Sequence, residues 1–168
     1  MIRVVLARLH EMEVEAIVCP VRSDLSPVSA VSRDVAAAAG AAIDERLDTL
    51  GSLPLGGAVM TPSSELTTDF LIHAVVMSED EPQTEATVRR ALRNALARAA
   101  DWGVDSLALP PLGMSVGIAE PEDSARVLIE ILQDHIEEGR PPLDLVIVPS
   151  TSYEEELFTR LLNADRGA

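Results

Sequence analysis

Residues 70–77 read Phe-Leu-Ile-His-Ala-Val-Val-Met, and this run decides the fold. It is apolar on both alternating sides, which is the pattern of a strand covered on both faces, as in the sheets of α/β proteins. Toward the N-terminus, 15–21 (EAIVCPV) begins as a second such strand around Ala16-Ile17-Val18, with Pro20 expected to end it or to sit at its edge. The β-branched run 2–9 (IRVVLARL) predicts a short first strand. Residues 55–60 form a short strand after a Gly-rich approach, and 106–109 (SLAL) and 143–148 (LDLVIV) complete the set.

Helical spacing fills the gaps. Ser26-Pro27 supplies an N-cap and first helical residue for an alanine-rich helix running to Leu50, with Val31, Val35, Ala38, Ala42 and Leu47 on one face. Gly40 weakens its middle by about 1 kcal/mol relative to Ala, and Gly51 terminates it. Thr84 caps a helix to about Trp102, with Val88, Leu92, Ala95, Leu96 and Ala99 inward and Gly103 at its end. A helix over 122–138 turns Val127, Ile131, Leu132 and Ile136 inward. The last helix, over 152–163, starts with capping-box spacing at Ser152 and Glu155 and uses Tyr153, Leu157, Leu161 and Leu162 as contacts. The order β-β-α-β-β-α-β-α-β-α predicts a three-layer α/β/α sandwich with a mixed, mostly parallel sheet of about six strands. One domain over 1–168, frayed in its last residues, accounts for the whole chain.

Composition narrows the function. The net charge is −15, from 28 acids against 13 bases, and every base is Arg. A field of that sign repels nucleic acid and anionic membranes, so neither is an expected partner. No apolar run is long enough to span a membrane, and the acids soon after Met1 do not fit a signal peptide. The single cysteine, Cys19, excludes an intramolecular disulfide and a cysteine-based zinc site, which makes a reducing cytoplasm the expected compartment. His10, His73 and His135 are too scattered for a metal site. His73 reads as a satisfied core side chain, and His10 and His135 as exposed. No P-loop, nucleophile elbow or strand-GxGxxG-helix is present, and no carboxylate pair is placed for glycosidic hydrolysis.

Several segments, in order, resemble the macro domain, a module associated with ADP-ribose binding. Val14-Glu-Ala-Ile-Val18 is similar to the family's "VDAIVN" strand, and Phe70-Leu-Ile-His-Ala-Val75 to "yViHaV". Trp102-Gly-Val, closing the helix before it, resembles "A...G..S", and Ser106-Leu-Ala-Leu-Pro-Pro-Leu-Gly113 resembles "SIAFPALGTG". The resemblance covers nearly the whole chain. It implies a ligand site built from one position after the first strand, two Asn at the end of the second, a Gly-rich loop behind them and a second Gly-rich loop after the strand at 106–109.

The chain departs from that pattern at most of these places. Arg8 stands at or near the Asp that the family uses for the adenine amino group. Cys19 and Arg22 stand where the family has its two Asn, and 26–31 (SPVSAV) replaces the first Gly-rich loop without a single Gly. Pro27 restricts that backbone and removes a donor. The second loop keeps more of the pattern as Gly113, Met114, Ser115, Val116, Gly117 and Ile118. Successive N–H groups in such a loop can cradle an anion, although Glu120, Glu122 and Asp123 oppose a phosphate there. Val148-Pro149-Ser150 lacks the family's aromatic near the distal ribose.

The candidate ligand residues are therefore Arg8, Cys19, Arg22 and the loop from Gly113 to Ile118. Arg8, Arg22 and Arg33 are open to two readings: forks that bind an anion, or side chains paired with Asp24 or Asp34 that fill the old pocket. Cys19 reads as an inert buried thiol. The acids Glu79-Asp80-Glu81 and Glu154-Glu155-Glu156 read as a solvated loop and a helix N-terminus. The function expected is a non-catalytic binding module for an ADP-ribose-related nucleotide or another small anion, with weak or lost affinity for ADP-ribose itself and no cofactor. The alternative is a degenerate fold with a filled pocket that serves as a structural or interaction module, including as a homodimer. A hydrolase of ADP-ribosyl groups is the third reading.

Overall fold

A computed structural model describes residues 1–114 and 120–167. Its core is one six-stranded sheet in the order β1-β6-β5-β2-β4-β3. The strands are β1 (Ile2–Val4), β2 (Ala16–Arg22), β3 (Ala58–Pro62), β4 (Phe70–Met77), β5 (Ser106–Leu109) and β6 (Asp144–Ile147). All neighbours are parallel except β3, which pairs antiparallel with β4 at one edge. Five helices cover the faces: α1 (Ala30–Ala39), α2 (Ala41–Leu50), α3 (Glu85–Asp101), α4 (Pro121–Glu137) and α5 (Ser152–Arg166). The three-layer mixed sandwich expected from the sequence is the fold found.

Alternation along the strands sorts the side chains between two cores. Ala16 and Val18 of β2, with Ile72, Ala74 and Val76 of β4, join the larger core beneath α3, α4 and α5. Ile17 and Cys19, with Leu71, face α1 and α2 together with Val35, Ala39 and Ile43. Both faces of β2 and β4 are therefore buried, which is why these strands read as unbroken apolar runs.

Local signals set the helix ends. Thr84 and Ser29 each accept the backbone N–H three residues on, and Thr87 and Ser32 return the bond to the cap residue's own N–H. α1 thus starts at Ala30 with Ser29 as its cap. The expected Ser26 cap is used elsewhere, because Ser26 donates to the Asp24 carboxylate in the preceding turn. α5 is capped by Thr151, whose hydroxyl accepts from the Glu154 N–H, rather than by Ser152.

The other differences have physical causes too. The first strand stops at Val4, and Leu9–Glu11 forms a 3-10 turn that buries Leu9. Pro20 lies within β2 rather than at its end: β5 pairs with β2 only at Ala16 and Ile17, so no β5 acceptor opposite Pro20 goes without a donor. The expected helix over 27–50 is two helices, broken at Gly40 with φ +90° and ψ 176°. The break moves the inward stripe from Val35 and Ala39 to Ile43, so Ala42 is exposed. Tyr153 is exposed, whereas His135 is buried against the Pro142 carbonyl at 3.1 Å.

Gly40 is required by this break. Its backbone, at φ +90°, lies where a side chain is strained; the Glu65 carboxylate, 2.8 Å from an added Cβ, ends a flexible side chain and can move aside. Gly40→Ala should lower the unfolding free energy by about 1–2 kcal/mol. Urea unfolding of the variant would test this, and an unchanged midpoint would show that the break does not depend on glycine.

Candidate functional site

Five parallel strands bring their C-terminal ends to one edge of the sheet, which is where open α/β sheets bind ligands. That edge is stepped. β5 and β6 end at Leu109 and Ile147, while β2 runs on to Arg22, paired with β4 on one side and, at Val21, with Pro27 of the following strap. The chain after Leu109 therefore diverges from β2 and leaves a cleft between them.

The outer part of the cleft has a volume of about 680 Å³. Arg8 and His10 from the turn after β1, Asp34 and Ala37 from α1, and Val148 and Ser150 from the segment after β6 line it. Val31 and Ser150 also line a smaller inner space of about 70 Å³, so the two parts adjoin. The inner part lies among Pro20, Ser29, Gln83, Pro110, Gly113 and Glu154.

Arg8 lies at the mouth. Its side chain is 75% exposed and pairs with Glu11 at 3.6 Å, so it does not fill the cleft. Arg22 is not among the residues lining the cleft; its guanidinium donates to the Pro27 carbonyl at 2.7 Å and ties down the strap over 23–29. The two arginines do not flank one cleft, and among the described residues neither forms an ion pair with Asp24 or Asp34. Of the two readings, pairing of Arg8 and Arg22 with Asp24 or Asp34 to fill the pocket is not seen among the described residues. Tertiary contacts decide this: an arginine beside a free carbonyl takes that partner, and one beside Glu11 takes the neighbouring carboxylate.

Cys19 is on the face of the sheet that packs on α1 and α2, together with Leu9, Val31 and Val148 of the outer cleft. Its Sγ sits 3.9 Å from the Ser32 carbonyl, and burial pushes the thiol up to about 12. It is neutral at physiological pH and does not line the cleft. Gly113 does line the inner part, with φ +89°, and Met114 packs on the larger core. Ser115, Val116, Gly117 and Ile118 lie outside the described residues.

The charges around the cleft are mixed. Asp34 and Glu154 line it along with Arg8. Glu154 accepts from the hydroxyls of Ser150 at 3.3 Å and Thr151 at 3.1 Å. Glu122 is less of an obstacle to anions than its sequence position implies, because Arg126 at 2.7 Å and Arg160 at 3.0 Å donate to it and hold its carboxyl below the usual range. Gln83, 4% exposed, was given no role by the sequence, since it sits in a polar loop whose burial only the fold reveals. Glu154 read as an ordinary first-turn acid for the same reason.

The sequence and the fold are similar to those of known proteins. The macro domain family model matches residues 18–128. An uncharacterised protein of Aquifex aeolicus is 31% identical over 130 residues, 77% of this chain and 79% of that protein. A macrodomain of Oceanobacillus iheyensis, solved with ADP, superposes with a TM-score of 0.84 at 19% identity, covering 96% of this chain and 89% of the other. A macrodomain of Trypanosoma brucei in complex with ADP-ribose gives 0.85 at 16% identity, covering 96% and 68%. The chain belongs to the macro domain family. Among the described residues no helix is long and apolar enough to cross a membrane.

His73, at the centre of β4, is only partly satisfied. Its Nε2 lies 2.9 Å from the Thr61 hydroxyl, while Nδ1 has no partner among the described residues. Burial pulls the imidazole down to about 4. The unfolded chain, titrating near 6.5, then binds more protons than the folded one between these values, so stability is full above 6.5 and falls as the pH drops toward 4. The loss amounts to roughly 3 kcal/mol. In His73→Gln the difference in unfolding free energy between pH 7 and pH 4.5 should shrink by most of that amount. Urea unfolding at the two pH values measures it, and an equal fall in both proteins would remove His73 as the cause.

Proposed function

We propose that this chain is a binding module that holds an ADP-ribose-related nucleotide in the strand-end cleft without acting on it, and that it holds ADP-ribose itself weakly. The observation that carries this reading is the open, two-part cleft, whose adjoining parts share Val31 and Ser150. The outer part has room for a nucleoside between Arg8 and Ala37. The inner part leads toward Gly113, where the loop 113–118 takes the phosphates in this reading. The T. brucei macrodomain in complex with ADP-ribose supports the ligand class through the shared fold.

Weak affinity follows from the side chains. Asp34 and Glu154 face the cleft against Arg8, which opposes a diphosphate. Arg8 stands near the family's adenine-binding Asp, and losing one such hydrogen bond costs about tenfold or more. The non-catalytic reading rests on Cys19, which is neutral and outside the cleft. A hydrolase would need an activated water or nucleophile, and the two Asn positions of the family hold Cys19 and Arg22. The open cleft favours a ligand over the alternative of a filled fold that only contacts protein.

Isothermal titration with ADP-ribose at low and at physiological salt tests the proposal. The expected Kd is above about 100 μM. Ala37→Trp, at an exposed position lining the outer cleft, should remove the heat, and Arg8→Ala should weaken binding several-fold and flatten its salt dependence. No heat at millimolar ADP-ribose, or unchanged binding in Ala37→Trp, would overturn the reading.

A further inference from the structure

Gln83 is a buried polar residue that the fold leaves unpaired. It precedes Thr84, the cap of α3, and is only 4% exposed. Its carboxamide has no hydrogen-bond partner among the described residues. Unlike the His73 Nδ1 and the Thr68 hydroxyl, its polar atoms are not sealed in the core. The residue lines the inner part of the cleft, and Nε2 lies 3.8 Å from the place that a Cβ on Gly113 would take. The amide end therefore reaches the strand-end edge where a ligand enters. Buried polar groups are nearly always paired, by protein, water or ligand.

We propose that Gln83 is the specificity-determining residue of the inner cleft. Its carboxamide holds the hydroxyls of a ribosyl group that follows the diphosphate. The site thereby takes a nucleotide ending in a neutral sugar and rejects one ending in a phosphate. This inference rests on the reading of the cleft as a nucleotide site.

The surroundings of Gln83 favour a hydroxyl over a phosphate. Pro20, Pro110 and Pro111 border the inner part, and proline has no N–H to offer an anion. No arginine lines it, and Glu154 is its one charged lining residue among those described. The two hydroxyls present are already engaged. Ser29 accepts from the Ser32 N–H at 3.2 Å and bonds its hydroxyl at 2.8 Å, and Ser150 donates to Glu154 at 3.3 Å. Gln83 is thus the side-chain donor of the inner part that has no partner. A carboxamide offers donors and an acceptor, which matches a hydroxyl. A phosphate offers acceptors only, and its charge would face both the amide oxygen and the Glu154 carboxylate. A ribosyl diol can accept from the amide and donate to either of those oxygens. A site built to hydrogen-bond a hydroxyl discriminates well, because a ligand lacking it leaves the buried group unpaired.

The test compares ADP-ribose with ADP. They share the adenosine diphosphate, and one ends in a ribosyl group where the other ends in a phosphate. Two-dimensional NMR titration of the whole chain measures both. The parent should bind ADP-ribose at least about tenfold more tightly than ADP. Gln83→Leu keeps the size of the side chain and removes its polar atoms. It should lower the affinity for ADP-ribose about tenfold and leave that for ADP unchanged. Gln83→Glu should weaken ADP more than ADP-ribose, because hydroxyls donate to a carboxylate and a phosphate does not. The side-chain NH2 signal of Gln83, one of two glutamines in the chain, is a direct readout. It should move as ADP-ribose is added, and much less at equal occupancy with ADP. While ADP-ribose binds, any of three results would overturn the assignment: equal affinity of the parent for the two ligands, equal losses for both in Gln83→Leu, or an unmoved Gln83 NH2 signal at saturation. Absence of ADP-ribose binding by the parent would instead overturn the reading of the cleft, and this assignment with it.

Discussion

Strand β2 is bonded to β4 through all seven of its residues but to β5 only through Ala16 and Ile17. The rest of the architecture depends on this unequal pairing. The long ladder with β4 fixes the register, and a slip by one residue would exchange the side chains meant for α3 and α4 with those meant for α1 and α2. The short ladder with β5 frees the end of β2 from its other neighbour. Pro20 can sit there, and the chain after Leu109 can turn away, so a cleft opens at the edge where parallel strands present their loops. Closer pairing of β2 and β5 would remove both the place for Pro20 and the space for a ligand.

The same strand separates two hollows of different character. The inner cleft, on the Pro20 side, has proline, serine, glutamine and glycine around it, with Glu154 at its border. The cavity on the Cys19 side is apolar inside and acidic at its rim. The strap over 23–29 divides them, held by the Arg22 guanidinium on the Pro27 carbonyl and by the Asp24 turn. Arg22 thus serves as a backbone tie. The strap has no glycine, and its conformation is kept by side-chain hydrogen bonds, with Leu25 at φ +69°. The net charge of −15 is also unevenly felt: Glu122 is screened by two arginines, whereas Asp44 and Asp48 form no ion pair among the described residues.

Elements whose signals are local were legible in the sequence. β4 and β5 appear with the bounds that their apolar runs predict, and α3 begins at Thr84 because its hydroxyl completes a capping box within four residues. Where two local signals competed, the reading went wrong. Ser26 and Ser29 are both plausible caps, and only the Asp24 turn, closed against β2, commits Ser26 elsewhere. Gly40 looks like a weak point in one long helix until Glu65, distant in sequence, donates its N–H to the Ala39 carbonyl and the chain turns. His135 looks solvent-facing on its helix, but the segment at Pro142 folds over it.

The site shows the same division. The sequence by itself determined the sandwich, the strand order's periodic signature, the family and the position of Gly113 at the end of a buried strand, because periodicity and capping are properties of neighbours along the chain. Only the tertiary structure decided that Arg8 lines an open cleft while Arg22 and Cys19 do not, and that Gln83 and Glu154 belong to it. It alone brought Asp24 to one cavity with Asp44 and Asp48. Which partner a long polar side chain takes depends on the donors and acceptors that folding brings within about 3 Å of it, and residues far apart along the chain supply most of them.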